Sequence, residues 1–157
     1  MKKFTFSTHV HKEWVDYNGH MRDAFYGLVF SFAVDSFMID IGIDEAYREK
    51  TKGTIYVVED HRFYLDEAKQ GDEIQVESIV LDSDAKRIHL YQRLMVGDTV
   101  ACACESMQFH ISQAGETPRS APMPDDMQAL LQTSHPTAEQ LAEISPRSRT
   151  IGIRRKK

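Results

Sequence analysis

With 157 residues, of which 41% are apolar, 10% aromatic and 27% charged, the chain has the size and composition of one globular domain around a single core, which excludes fibrous and disordered classes. The net charge of −5 is unevenly spread: Ser145 to Lys157 carries Arg147, Arg149, Arg154, Arg155, Lys156 and Lys157 with no acid, leaving −11 for the rest. A body that acidic repels phosphate, so nucleic acid is excluded as the main partner; the basic tail reads first as a solvated terminus and second as a binder of a compact polyanion.

Phe4, Phe6, Thr8 and Val10 alternate with polar residues, which predicts a half-buried strand ending near Trp14. His9 and His11 share a face of it and, with no third ligand nearby, read as surface residues rather than a metal site. Asn18 and Gly19 break the strand pattern, Asp23 is placed to cap, and apolar residues recur at helical spacing from Ala24 through Ile41. That helix is apolar nearly all round, relieved only by Gly27, Ser31, Asp35, Ser36 and Asp40, so it must be covered on most sides. No run has the order of a signal peptide, and Asp35 and Asp40 interrupt the longest apolar segment; the expectation is a cytoplasmic protein with no membrane partner.

Gly42 ends the central helix, and Asp44 to Lys50 reads as a short helix capped by Asp44 and closed by Gly53. Thr54 to Leu65 follows as a strand. Strict alternation puts Val57, Glu59, His61, Phe63 and Leu65 on one face and Val58, Asp60, Arg62 and Tyr64 on the other. Charges on both faces suit a cleft or a symmetry-related subunit better than a core. Strands are then expected at Glu73 to Leu81, Lys86 to Val96 and Thr99 to Ile111, with turns at Asp82 to Ala85 and at Gly97-Asp98. Cys102 and Cys104, two apart on a strand, read as buried reduced thiols rather than a disulfide or metal ligands. Pro124 to Gln132 and Thr137 to Glu143 read as short helices. The order β–α–β–β–β–β predicts an α+β fold with an antiparallel sheet around one long helix, in a domain over 1–133 followed by a C-terminal extension, 134–157, that ends in the basic tail. A serine elbow, a phosphate-binding Gly-rich loop and a zinc-ligand spacing are all lacking from the sequence.

The chemistry concentrates where W-V-D-Y-N-G-H-M-R-D-A-F-Y runs from turn into helix. Unpaired N–H groups and the positive dipole end of a helix start favour developing negative charge. A carboxylate just upstream, Asp16, can then attack a polarised carbonyl or direct water at it while those amides hold the oxyanion. The competing reading makes Asp16, Asn18 and Asp23 turn and cap residues.

Asp16, Gly19, His20, Met21 and Tyr26 fall on a spacing that resembles the hotdog-fold acyl-CoA thioesterases of the 4-hydroxybenzoyl-CoA thioesterase type. The later Gly71-Asp72 resembles the same family, while Arg22 and Asp23 stand where it usually has paired Asn residues. The resemblance implies a hotdog fold, Asp16 as the catalytic carboxylate and the backbone amide of Asp23 as the group that binds the thioester carbonyl. It also implies an acyl-CoA substrate, no cofactor beyond the coenzyme A of that substrate, and a homodimer or tetramer with a shared active site; an exposed sheet edge points to self-pairing as well. Y-N-G-H-M, I-G-I-D, V-E-D-H-R-F-Y-L and I-G-I-R-R-K are most similar to the thioesterases of carnitine degradation, which cleave betainyl-CoA to betaine and CoA. The alternatives are a general short-chain or aryl acyl-CoA thioesterase and a non-catalytic acyl-CoA binder on the same fold.

Candidate substrate-contacting residues are Trp14, Tyr17, Asn18, His20 and Tyr26 from this stretch, with Glu59 and His61 from the next strand. Aromatic faces beside a carboxylate can hold a quaternary ammonium by cation–π attraction. Glu59 or His61 can serve as a second acid or base, or as ordinary polar residues of a cleft or interface, and His20 can close a hydrogen bond to the turn.

Overall fold

The computed structural model describes residues 1–149 and 151–152; the tail residues Arg154, Arg155, Lys156 and Lys157 lie outside the described residues. One antiparallel sheet is built from β1 (Phe4–His9), β2 (Gly53–Tyr64), β3 (Glu73–Ser83), β4 (Arg87–Val96) and β5 (Thr99–Ser112) in the spatial order β1-β3-β4-β5-β2, with a two-residue β6 (Arg119–Ser120) added to β5. The long helix α1 (Asp23–Asp40) packs on one face. Short helices α2 (Glu45–Thr51), α3 (Asp125–Ser134) and α4 (Ala138–Ala142) complete the chain. Among the described residues no single helix is long and apolar enough to cross a membrane.

Helix α1 starts where its backbone is forced to. Arg22 donates its N–H to the Trp14 carbonyl at 3.0 Å and is held extended at φ −69°, ψ 148°, so Arg22 is the N-cap and Asp23 the first helical residue. The expected Asp23 cap is therefore corrected: its carboxylate stands in the first turn, favourable to the dipole but bonded to no N–H of the helix end. Val29, Ala33 and Phe37 turn into the sheet against Ile74, Val76, Val80, Leu90 and Leu94, and α3 extends that layer with Met127 and Leu131. Coverage is less complete than the apolar sequence predicts, because Leu28, Phe32 and Ile39 stay open at 37%, 39% and 60% exposure. Gly42, at φ +95°, ends the helix as expected. The Asp44 side chain caps α2 by accepting the Tyr47 N–H, and Lys52 at φ 56° closes it, leaving Gly53 to begin β2.

Strand β2 departs from strict alternation. Val57 pairs with Gln108 and Glu59 with Met107, so Val58 is an unpaired bulge residue. One extra residue reverses the faces downstream of it. Ile55 and Val57 consequently share the helix side with Asp60, while His61 and Phe63 join the opposite face, where Phe63 packs against a cluster of Ile79, Leu81, Tyr91, Ala103 and Ile144. Ile144 belongs to the C-terminal segment, which thus returns across the outer face of the sheet.

Candidate active site

The loop before α1 is closed by pairing rather than by side-chain packing. Val15 bridges Met21, Asp16 donates its N–H to the His20 carbonyl at 2.9 Å, and Gly19 donates back to the Asp16 carbonyl at 3.0 Å. Gly19 sits at φ +79°, a left-handed conformation that a side chain would strain. A second loop clamps this one from outside: Met21 donates to the Ala68 carbonyl at 2.8 Å, Gln70 to the Gly19 carbonyl at 3.0 Å, and His20 bridges Lys69.

Within that frame the two oxygens of Asp16 differ. Oδ1 accepts the N–H groups of Asn18 at 2.8 Å and His20 at 3.1 Å, whereas Oδ2 accepts no hydrogen bond from the described residues. The His20 N–H is the largest reason that the Asp16 carboxyl is held below its ordinary value, with Asn18 adding and partial desolvation opposing. Asp16 is thus an oriented, ionised carboxylate with one oxygen left for chemistry. Across the bridge, Asp23 opens α1, and the N–H of a first helical residue has no intrahelical acceptor.

The other expected residues divide. Asn18 gives the loop its backbone N–H. His20 also presents its ring, Nδ1 lying 3.3 Å from Glu67 Oε1. Tyr17 is 94% exposed. Trp14 stacks on Phe25, centroids 5.9 Å apart at 17°, and meets the His11 ring on another side at 4.4 Å, so its faces are largely taken. Tyr26 is buried, and its hydroxyl accepts the Ala68 N–H at 3.0 Å, tying the helix to the clamping loop. The expected cage of Trp14, Tyr17 and Tyr26 does not assemble in one chain. Glu59 and His61 do not line the groove of their own chain: the Val58 bulge turns them to the face away from α1, where the His61 ring lies 4.5 Å from Phe63.

In their place β2 lays a different row along the helix. The Arg62 guanidinium donates twice to Asp60 Oδ2, at 3.1 and 2.8 Å, and lies so close to α1 that a Cβ on Gly27 would stand 2.6 Å from its Nη1. Tyr64, next on the same face, brings its hydroxyl to 3.5 Å from the Asp23 carbonyl oxygen. A groove of about 300 Å³ begins at Gly27, one turn into α1, and continues past Ser31, Asp60, Ser106 and Gln108. Inside it Gln108 gives its Nε2 to Ser106, while the buried Oε1 has no partner among the described residues. These residues were missed because alternation divides β2 into two faces without saying which one meets the helix.

A sheet wound on one helix, with a looped carboxylate before the helix start, is the setting in which the family comparison becomes decisive. The family description that matches, over residues 10–131, is the Thioesterase-like superfamily. The chain belongs to that superfamily. Its fold is accordingly the hotdog fold, an α+β architecture. It is 38% identical to a betainyl-CoA thioesterase of Pseudomonas aeruginosa, over 95% of this chain and 94% of that one. It is also 38% identical, over 87% of its length, to 27% of a longer L-carnitine dehydrogenase/betainyl-CoA thioesterase of Rhizobium meliloti. Among solved structures, a Staphylococcus aureus protein in complex with CoA superposes with a TM-score of 0.78 at 33% identity, covering 94% of this chain and 96% of the other.

Proposed function

We propose that this protein hydrolyses betainyl-CoA to betaine and CoA. The observation that carries the reaction is the pairing of Asp16, whose Oδ2 accepts no hydrogen bond from the described residues, with the helix start at Asp23. The near full-length similarity to a betainyl-CoA thioesterase supports the acyl group. The thioester carbonyl oxygen sits at the Asp23 N–H, which bonds it more strongly as negative charge develops. Asp16 acts either by adding to the carbonyl carbon, with water then opening the anhydride, or by taking a proton from the water that adds. In both cases the C–S bond breaks, the hydroxyl of water ends on the acyl carbon and its proton balances the departing thiolate. No metal enters this scheme, and the only coenzyme is the one that leaves as product.

Betainyl-CoA carries a fixed cation two bonds from the reacting carbon, and the neutral comparison is 3,3-dimethylbutanoyl-CoA, which has carbon in place of the nitrogen. Wild-type protein should cleave the cationic thioester with a kcat/KM on the order of thirtyfold higher, as a desolvated cation–π contact of about 2 kcal/mol allows. Release of CoA thiol measures both. Equal rates would leave a general short-chain thioesterase, and coenzyme A binding without turnover of any thioester would leave a binder.

The functional unit is proposed to be at least a homodimer. Strand β2 is an edge of the sheet, 12 residues long, and carries exposed Tyr56, Val57 and Val58; a long apolar edge is a template for a second strand. Pairing two copies there covers the edge and closes the groove beside α1, whose wall includes Val57. Sedimentation at micromolar concentration should give a dimer or larger, and a stable monomer there would remove the shared site.

A further inference from the structure

With the Trp14, Tyr17 and Tyr26 cage dispersed, the recognition of a cationic acyl group needs another source close to the reacting carbon. The quaternary nitrogen of a betainyl group lies only about 2.5 Å from the carbonyl carbon, two bonds away. Helix α1 rises about 1.5 Å per residue, so groups at Ser31 and beyond on the groove wall lie more than about 10 Å from the Asp23 amide and are out of reach. The recognising group must stand at the helix start itself.

We infer that Tyr64 is the specificity-determining residue, its ring forming the wall against which a cationic acyl headgroup rests; this builds on the betainyl-CoA reading above. Three observations meet at this residue. Its hydroxyl is 3.5 Å from the carbonyl oxygen of Asp23, the residue whose amide receives the thioester. Its ring packs perpendicular to that of the buried Tyr26, centroids 5.5 Å apart at 89°, yet Tyr64 is 52% exposed and keeps surface for a ligand. The charge around it also has the right sign. Asp16, Asp23, Asp66 and Glu67 outnumber Arg22 and Lys69 in the helix start and its two loops, and Arg62, whose charge also acts on Tyr64, is held by its paired bond to Asp60. An excess of carboxylates beside the reacting carbonyl repels an acyl anion and attracts a cation, and the face of an aromatic ring adds cation–π attraction at short range.

The test compares Tyr64→Leu and Tyr64→Phe with wild type on betainyl-CoA and 3,3-dimethylbutanoyl-CoA. Tyr64→Leu should lower the ratio of the two kcat/KM values about tenfold, whereas Tyr64→Phe, which keeps the ring and its contact with Tyr26, should hold the ratio within about twofold. A ratio read on one preparation is independent of how much of it is folded. An unchanged ratio in Tyr64→Leu, with betainyl-CoA still preferred, overturns the role of Tyr64 and leaves the substrate intact. A ratio that collapses in Tyr64→Phe as well assigns recognition to the hydroxyl and overturns the ring-face contact. Failure of wild-type protein to prefer betainyl-CoA removes the substrate reading, and the Tyr64 role falls with it.

Discussion

Two carboxylates on opposite sides of the sheet are both held below their ordinary pKa, and only one keeps an oxygen that accepts no hydrogen bond from the described residues. Asp16 is fixed in a loop by two backbone N–H groups on one oxygen, with the other oxygen open. Glu105, in the middle of β5, is 0% exposed and fully engaged: Oε1 takes His89 Nε2 at 2.7 Å and Arg147 Nε at 3.1 Å, and Oε2 takes the Ser148 N–H. Burial pushes the Glu105 carboxyl up, but the His89, Ser148 and Arg147 contacts outweigh it. A low pKa alone therefore does not mark a reactive acid. What separates the pair is a spare oxygen in the loop that leads into α1, against a set of partners that fastens the C-terminal segment to the outer face.

The sharpest way to break this contrast is Asp16→Asn. The amide oxygen can still accept from Asn18 and His20, so the loop survives while the carboxylate proposed to react is lost. The expected result is a fall in kcat of about a thousandfold, within the range for removing a general base or nucleophile, with little change in KM. CoA-thiol release under saturating substrate measures it. Retention of more than about a tenth of the wild-type rate would mean that Asp16 is a turn residue and nothing more.

The frame of the molecule was readable because its elements have strong periods. The α1 pattern from Ala24 to Ile41 falls one residue from the observed Asp23–Asp40, and the meander follows its turn residues. The turn that holds Asp16 was readable because Asn18-Gly19 stands next to an apolar helix. Other features have no local signature. The bulge at Val58 leaves V-V-E-D looking like a regular strand, yet it moves Glu59 and His61 across the sheet and brings Asp60, Arg62 and Tyr64 to the helix. Tyr26 follows the spacing of the resemblance but is pulled into the core by the Ala68 N–H of a distant loop. Glu105 offered one clue, an acid inside the apolar run V-A-C-A-C-E-S-M, but its partner Arg147 lies 42 residues later, too far for any pattern to join them.

A smaller effect is expected from Glu105→Gln, and it sharpens the other half of the contrast. Glutamine keeps the shape but removes the charge that His89 and Arg147 face, and breaking a buried ion network from one side typically costs about 3 kcal/mol. That loss should appear as a lower urea midpoint at neutral pH, with kcat per folded molecule close to wild type. The pH dependence then tests whether charge is the cause. The folded-state pKa of Glu105 lies below the ordinary value of 4.5, so its ionised form stabilises the fold fully above that value, and the contribution disappears as pH falls through the folded-state value. Glu77 and Asp84 are lowered too and remain in the variant. Both proteins will therefore weaken in acid, and only the gap between them reports on Glu105. Urea melts at about pH 7 and about pH 3 should show that gap narrowing as the wild-type carboxyl takes up its proton. A gap of the same size at both values would mean that glutamine fails through packing, and that the His89, Arg147 and Ser148 contacts hold the outer segment by shape rather than by charge.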